Sequence, residues 1–282
     1  MREKKLYRGI ESKLRYDNDV IRTEFEDAEN VFCRCIVTEP KESGKNGRLV
    51  LIFPSYPLGF VDYNGNCYDH SGSYLESYVI YNYAPYNEIA DALAKEGNVV
   101  VRMDMFGKNR GAIDPMRDIT AWIHRIQELK GISEEPVVIG HRESGFFAVQ
   151  LMKSNHWRRG ILLCSGLNYR YMDKAGSCCA HMQELPGDYS FIQIDAGLDK
   201  NRVDRQETVS DLHCTYRIYM IENMDYTLRY HDKRKKKDIR KYDAREISKG
   251  YRIKCGTEEF PPVSNELIEV LKAEIDMMGR FA

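Results

Sequence analysis

Apolar residues along this chain fall into short solid runs separated by longer amphipathic stretches. Residues 31–37 and 48–53 read as a strand pair, joined by Glu39-Pro40-Lys41-Glu42-Ser43-Gly44-Lys45-Asn46-Gly47, a segment dense in turn formers. Leu49 to Phe53 is apolar without a break, as expected of a strand covered on both faces. Residues 86–96 have Ile89, Ala90, Leu93 and Ala94 at helical spacing, and Gly97 ends that helix. A strand over 99–104 follows, then a helix over 115–130 with Ile119, Trp122, Ile123, Ile126 and Leu129 on its apolar face. Next come a strand at 136–140, a tight turn at His141-Arg142-Glu143-Ser144, and a helix over 145–153. Strands at 161–164, 191–194 and 216–221 and a closing helix over 265–278 complete the pattern. Residues 1–30 are polar and charged, and no element is assigned there. Strand alternating with helix predicts an α/β fold, a mostly parallel sheet with helices on both faces. No repeat at a solenoid period is visible, so residues 1–282 are expected to form a single domain with its core over about 31–282.

Three stretches interrupt this pattern as insertions. The first, about 60–85, contains Tyr63, Tyr68, Tyr74, Tyr78, Tyr81 and Tyr83, and is either a lid or partner surface or an extended hairpin packed on the domain. The second, about 166–187, is a cap-like excursion rich in Cys, Tyr and Gly. The third, about 229–254, has Lys233-Arg234-Lys235-Lys236-Lys237 at its centre and is either a dock for an acidic protein partner or a solvated insertion. Asp232, Asp238, Asp243 and Glu246 dilute its charge and no nucleic-acid-binding signature accompanies it, so nucleic acid is not an expected partner.

Composition fits this picture. Of 282 residues, 43% are hydrophobic and 30% charged, enough apolar material for a sizeable core. The net charge of −1 leaves electrostatic recognition to local patches. No apolar run reaches the roughly 18–20 residues that span a bilayer. The charged start Met1-Arg2-Glu3-Lys4-Lys5 is not followed by an apolar segment, so a cytoplasmic location and no membrane partner are expected. The eight cysteines include no Cys-x-x-Cys pair; they are expected as free thiols, with Cys33 and Cys35 on one strand face and no metal site. Neither a Gly-x-Gly-x-x-Gly nor a phosphate-loop motif occurs, and no cofactor is expected.

The most informative segment is Val137-Val138-Ile139-Gly140-His141-Arg142-Glu143-Ser144-Gly145-Phe146-Phe147-Ala148. It resembles the nucleophile elbow of the α/β-hydrolase superfamily, the serine esterases, lipases and thioesterases. There a buried strand ends in Gly-His-Ser-x-Gly-Gly and enters a helix with the serine on a strained turn. Gly140 and His141 match the start of that motif, and Gly145 and Ala148 its end. Arg142 stands at the serine position. Other segments follow the family's order. Phe53-Pro54-Ser55-Tyr56 resembles the loop that gives an oxyanion-hole amide. Val101-Arg102-Met103-Asp104-Met105-Phe106-Gly107 resembles its Arg-x-Asp-x-x-Gly turn. Ile194-Asp195-Ala196-Gly197-Leu198-Asp199 resembles the strand end that bears the acid, with Asp199 at the acid position. In Ile221-Glu222-Asn223-Met224-Asp225-Tyr226-Thr227-Leu228, Tyr226 stands at the histidine position. The resemblance covers about residues 48–278 and implies an α/β-hydrolase fold with a degenerate triad.

The departures bear on chemistry. A serine triad needs a hydroxyl nucleophile, an imidazole base and an acid to orient it. Arg142 stays protonated at neutral pH and is no nucleophile. Tyr226, with an ordinary pKa near 10, is a poor base. Ser144 is an alternative nucleophile, although it lies in the first helical turn and is expected to point away from the oxyanion site. His231 is an alternative base if its loop folds back. His141 and these other histidines have packing or surface roles as the plain alternative. Cys164, or Cys178-Cys179 with His181, could form a Cys–His pair or be inert thiols.

The elbow tip lies at a helix N-terminus, which favours anions, and a guanidinium there strengthens such a site. The leading expectation is a non-catalytic ligand- or partner-binding scaffold, its former active site taking a small anionic or acyl ligand through Ser55, Tyr56, His141, Arg142 and Glu143; a further reading is a structural or assembly subunit using the basic insertion or the tyrosine-rich loop. An internal salt bridge from Arg142 to Asp199 or Glu143 is the competing account of the arginine. The alternative function is an atypical hydrolase or acyltransferase acting on an ester, thioester or anionic substrate with a rebuilt catalytic set.

Overall fold

The computed structural model describes residues 2–4, 17, 19–26, 34–42, 47–54, 60–61, 67–68, 85–103, 115–142, 144–165, 185–198, 212–225, 228–230 and 262–280. Among these, nine strands form one sheet: β1 (Arg2–Lys4), β2 (Val20–Glu26), β3 (Arg34–Pro40), β4 (Leu49–Phe53), β7 (Val99–Met103), β8 (Val137–His141), β9 (Arg159–Leu163), β10 (Ser190–Ala196) and β11 (Thr215–Ile221). Their spatial order is β1-β2-β3-β7-β4-β8-β9-β10-β11. From β7 to β11 every neighbouring pair is parallel, whereas β1, β2 and β3 run antiparallel to their neighbours. Two short strands, β5 (Phe60–Val61) and β6 (Cys67–Tyr68), pair antiparallel on their own. The rest of the tyrosine-rich stretch, and nearly all of the other two insertions, lie outside the described residues.

The period-two alternation of the strands supplies two cores. Leu49, Leu51, Phe53, Val138 and Leu162 face α2 (Pro115–Lys130) and α3 (Ser144–Asn155). Val50, Ile52, Val137, Ile139 and Ile161 face α1 (Pro85–Lys95) and α4 (Asn265–Arg280). Both faces of the parallel strands are therefore covered, which explains their unbroken apolar runs. Trp122 of α2 is buried and donates its indole N–H to Cys35 Sγ at 3.3 Å. Cys35, Cys164 and Cys214 are buried free thiols; Cys33 lies outside the described residues. No described helix is long and apolar enough to cross a membrane.

Two features depart from the sequence reading. The predicted strand pair at 31–37 and 48–53 is not a pair. β7 lies between β3 and β4, antiparallel to β3 (Val37 opposite Val101) and parallel to β4 (Leu51 opposite Val101). β4 does run opposite to β3, but the crossover through α1 inserts β7 into the gap. The sheet also begins before residue 31, because β1 and β2 extend it into the polar N-terminal stretch. β2 is tied to α1 by a buried ion pair in which Arg22 donates from Nε to Asp91 Oδ1 at 3.1 Å and from Nη2 to Asp91 Oδ2.

Candidate functional site

The strand-turn-helix at the centre of the sheet is built by close approach. Gly140, one residue before the end of β8, crosses the start of α3 so tightly that a Cβ would lie 2.7 Å from Gly145 Cα and 2.7 Å from the Ser144 carbonyl oxygen. Gly145 is packed as closely against the next strand, since a Cβ there would meet Ser165 Oγ at 2.3 Å. Two side-chain-free positions let the helix start directly over the strand end. Arg142 takes up the reversal with φ of 51°, the left-handed region that non-glycine residues seldom adopt. Strain of this kind survives only where the surroundings over-determine it. Here the Arg142 amide donates to Leu163 O at 2.8 Å, and its carbonyl accepts from the Gly145 amide at 3.0 Å. The Arg142 side chain is partly buried.

His141 points to the α1 face. Its ring is buried, with Nδ1 2.8 Å from the hydroxyl of Tyr86, itself buried in the first turn of α1. The two rings meet edge to face, centroids 5.8 Å apart. Ser144, also buried, donates its hydroxyl to the carbonyl of Pro54, immediately past β4. That contact directs the hydroxyl towards the β4 end and occupies it.

On the α3 face a polar chain supports the elbow from behind. Ser165 Oγ donates to Gly140 O at 3.3 Å, and the Ser165 carbonyl accepts from Gln193 Nε2 at 3.1 Å. Gln193 Nε2 also reaches Asp195 Oδ1 at 2.6 Å, and Tyr216 donates to Gln193 Oε1 at 3.4 Å. Ser165, Gln193 and Asp195 are all buried. Sequence reading passed over this chain and Tyr86, because the contacts that join them to the elbow, Tyr86 with His141 and Ser165 with Gly140, span 55 and 25 residues and each residue type is unremarkable alone.

The ends of β10 and β11 lie together. The Gly197 amide donates to Ile221 O at 2.9 Å and the Leu198 amide to Met224 O at 3.1 Å. Beyond them, Asp225 closes a small turn: Leu228 N donates to Asp225 O at 2.9 Å and Arg229 N to Asp225 Oδ1 at 3.1 Å. Leu198 thus lies beside Met224. Asp199, Tyr226, His231, Ser55, Tyr56 and Glu143 themselves lie outside the described residues, as do Cys178, Cys179 and His181. Arg142, His141 and Ser144 are the predicted site residues that the structure describes, and they share one turn of chain. Among the described residues, no group of three or more His, Cys, Asp and Glu side chains is arranged to hold a metal ion.

No family model matches this sequence, and no curated protein matches it. Solved structures do. A bacterial heroin esterase is similar over 72% of this chain and 75% of its own, at 12% identity and a TM-score of 0.52. Est1E from Butyrivibrio proteoclasticus is similar over 80% of this chain and 99% of its own, at 10% identity and a TM-score of 0.49. An α/β serine hydrolase homologue from Coxiella burnetii is similar over 74% of this chain and 89% of its own, at 14% identity and a TM-score of 0.48. At such identities the likeness speaks for architecture alone. The likeness to the heroin esterase, together with the parallel sheet and the strand-turn-helix at β8, shows that the chain adopts the α/β-hydrolase fold.

Proposed function

We propose that this α/β-hydrolase-fold chain does not act as a serine hydrolase and that its elbow binds a small anion, a carboxylate or phosphate group, through Arg142. The observation that carries the reading is the placement of Arg142: a permanent cation at the left-handed tip of the elbow, two residues before the first residue of α3. A guanidinium presents a planar fork of donors suited to carboxylate and phosphate, and the helix dipole adds to the same potential. The buried Tyr86–His141 pair and the Ser165–Gln193–Asp195 chain fix the elbow from both faces, so the cation sits on a rigid support. The Ser144 hydroxyl is engaged by Pro54 O, which weighs against a rebuilt serine nucleophile at that position.

Two measurements test this. Intact mass after incubation with a fluorophosphonate probe, beside a panel of aryl esters, is expected to show neither adduct nor turnover; an adduct mapped to Ser144 would establish the atypical hydrolase instead. Calorimetric titration with acetate, acyl carboxylates and inorganic phosphate is expected to give binding that Arg142→Ala abolishes. Equal binding by the variant, or none by the native chain, would leave Arg142 as an internal ion-pair partner only.

A further inference from the structure

The first turn of α1 touches two separate pieces of the molecule. Tyr86 reaches the elbow through His141 Nδ1 at 2.8 Å. Two residues on, Glu88 uses both carboxylate oxygens on a neck formed by residues 228–230 and 262–264. Its Oε1 accepts from Arg229 Nη1 at 3.4 Å and its Oε2 from the Val263 amide at 3.2 Å. The neck is a short antiparallel clasp: Arg229 bridges Val263, the Tyr230 amide donates to Pro262 O at 3.0 Å, and the Ser264 amide donates to Leu228 O at 3.0 Å. The Arg229 side chain is only 7% exposed, and Leu228 and Val263 are buried with α1 and α4 in one core. The Arg229 amide also donates to Asp225 Oδ1, and its carbonyl accepts from the Asp225 amide.

Tyr86 and Glu88 lie within one helical turn of about 3.6 residues, joined by the same backbone. We infer that the first turn of α1 is a mechanical link between the neck, residues 228–230 with 262–264, and the elbow, so that a displacement of the neck is felt at His141 and therefore at Arg142. The lever has a contact at each end, Glu88 on the neck and Tyr86 on the elbow, and both belong to the same turn. This link concerns the geometry of the elbow and stands whether or not an anion binds there.

Crossed substitutions in the full chain test it. Glu88→Gln loosens the neck contact and leaves the described elbow contacts intact, while Tyr86→Phe removes the elbow contact and leaves Glu88 in place. Ring-nitrogen resonances of His141 report on the elbow, and hydrogen exchange of the Tyr230 and Ser264 amides reports on the neck. Glu88→Gln is expected to shift the His141 resonances. Tyr86→Phe is expected to speed exchange at Tyr230 and Ser264 by roughly fivefold or more, the lower end of measurable coupling between sites. The Trp157 amide, bonded to Met152 O on the opposite face, should exchange at the native rate. If Glu88→Gln lowers the melting temperature too far for spectroscopy, Arg229→Gln severs the same clamp from the other side. Effects confined to the mutated end, or an equal rise in exchange at Trp157, would overturn the link.

Discussion

The amide of Arg142 donates to the carbonyl of Leu163 at 2.8 Å, so the backbone of the elbow tip is fixed by the strand beside it, whatever side chain the tip carries. The backbone strain at φ 51° and the cationic side chain are therefore separable.

Replacing Arg142 tests that separation. Glycine adopts this conformation without the left-handed penalty, so Arg142→Gly should be more stable than Arg142→Ala by about 1 kcal/mol. Both should lose anion binding to the same extent. Urea melts of the two variants measure the difference, and alanine proving the more stable would contradict the account of a strained tip.

Gly140→Ala should be costly for a different reason. Its Cβ would meet backbone atoms of Ser144 and Gly145 at 2.7 Å, and backbone yields less than a side chain. Overpacking of this kind costs about 1–3 kcal/mol. Thermal unfolding of the variant should show the loss, and an unchanged melting temperature would mean that β8 and α3 slide apart easily.

Glu274 of α4 carries a pH prediction. It is buried, accepts from Arg217 Nη2 at 2.7 Å, and accepts the Tyr219 hydroxyl. That hydrogen bond, with burial adding to it, raises the Tyr219 phenol above its ordinary 10.0. The folded state thus binds the phenolic proton more tightly than the unfolded chain does. The associated stability is fully present below about pH 10 and is lost as pH rises through the higher folded value. Ultraviolet titration of the native chain against Tyr219→Phe should show this phenol ionising late, and Glu274→Gln should bring it back down.

Asp91→Asn should detach β2 from α1. It would leave the Arg22 guanidinium, whose side chain is 6% exposed, without its paired charge. Removing one partner of a buried pair costs about 3 kcal/mol. Hydrogen exchange across residues 20–26 should rise first, and a loss spread evenly over the sheet would count against a local staple.

Arg22 also explains why the N-terminal strands escaped the sequence reading. In β2 the residues facing α1 are Val20, Arg22 and Glu24, whereas Ile21 is 43% exposed. Arg22 and Glu24 thus share a side with the apolar Val20, while the exposed Ile21 shares the other with the buried Phe25, so apolar and polar positions of β2 do not sort by face. Where the alternation follows burial, reading was close: α2 spans Pro115–Lys130 as expected, and α3 differs only by its first residue and last turn. The elbow was legible because Gly140, Arg142 and Gly145 lie in one continuous segment. Its supports were not, since Tyr86, Ser165 and Gln193 come from other elements and acquire their roles only through the sheet order. The misassigned strand pair has the same origin, because turn formers report that a chain reverses, not which strand fills the space beside it.

The residue after each of three successive parallel strands donates its amide to the strand next door: Arg142 to Leu163, Cys164 to Ile194 and Gly197 to Ile221. Cys164 repeats the left-handed backbone of Arg142, with φ of 49°. The rim of the sheet therefore behaves as a row of interlocked tiles laid from β11 inwards. The position of the elbow is inherited from residues up to 79 places later in the chain, and a tile shifted at the outer edge displaces its neighbours in turn. The contacts that set the centre of the site are therefore not confined to the neighbourhood of Arg142, since Ile221 belongs to the same row of rim hydrogen bonds.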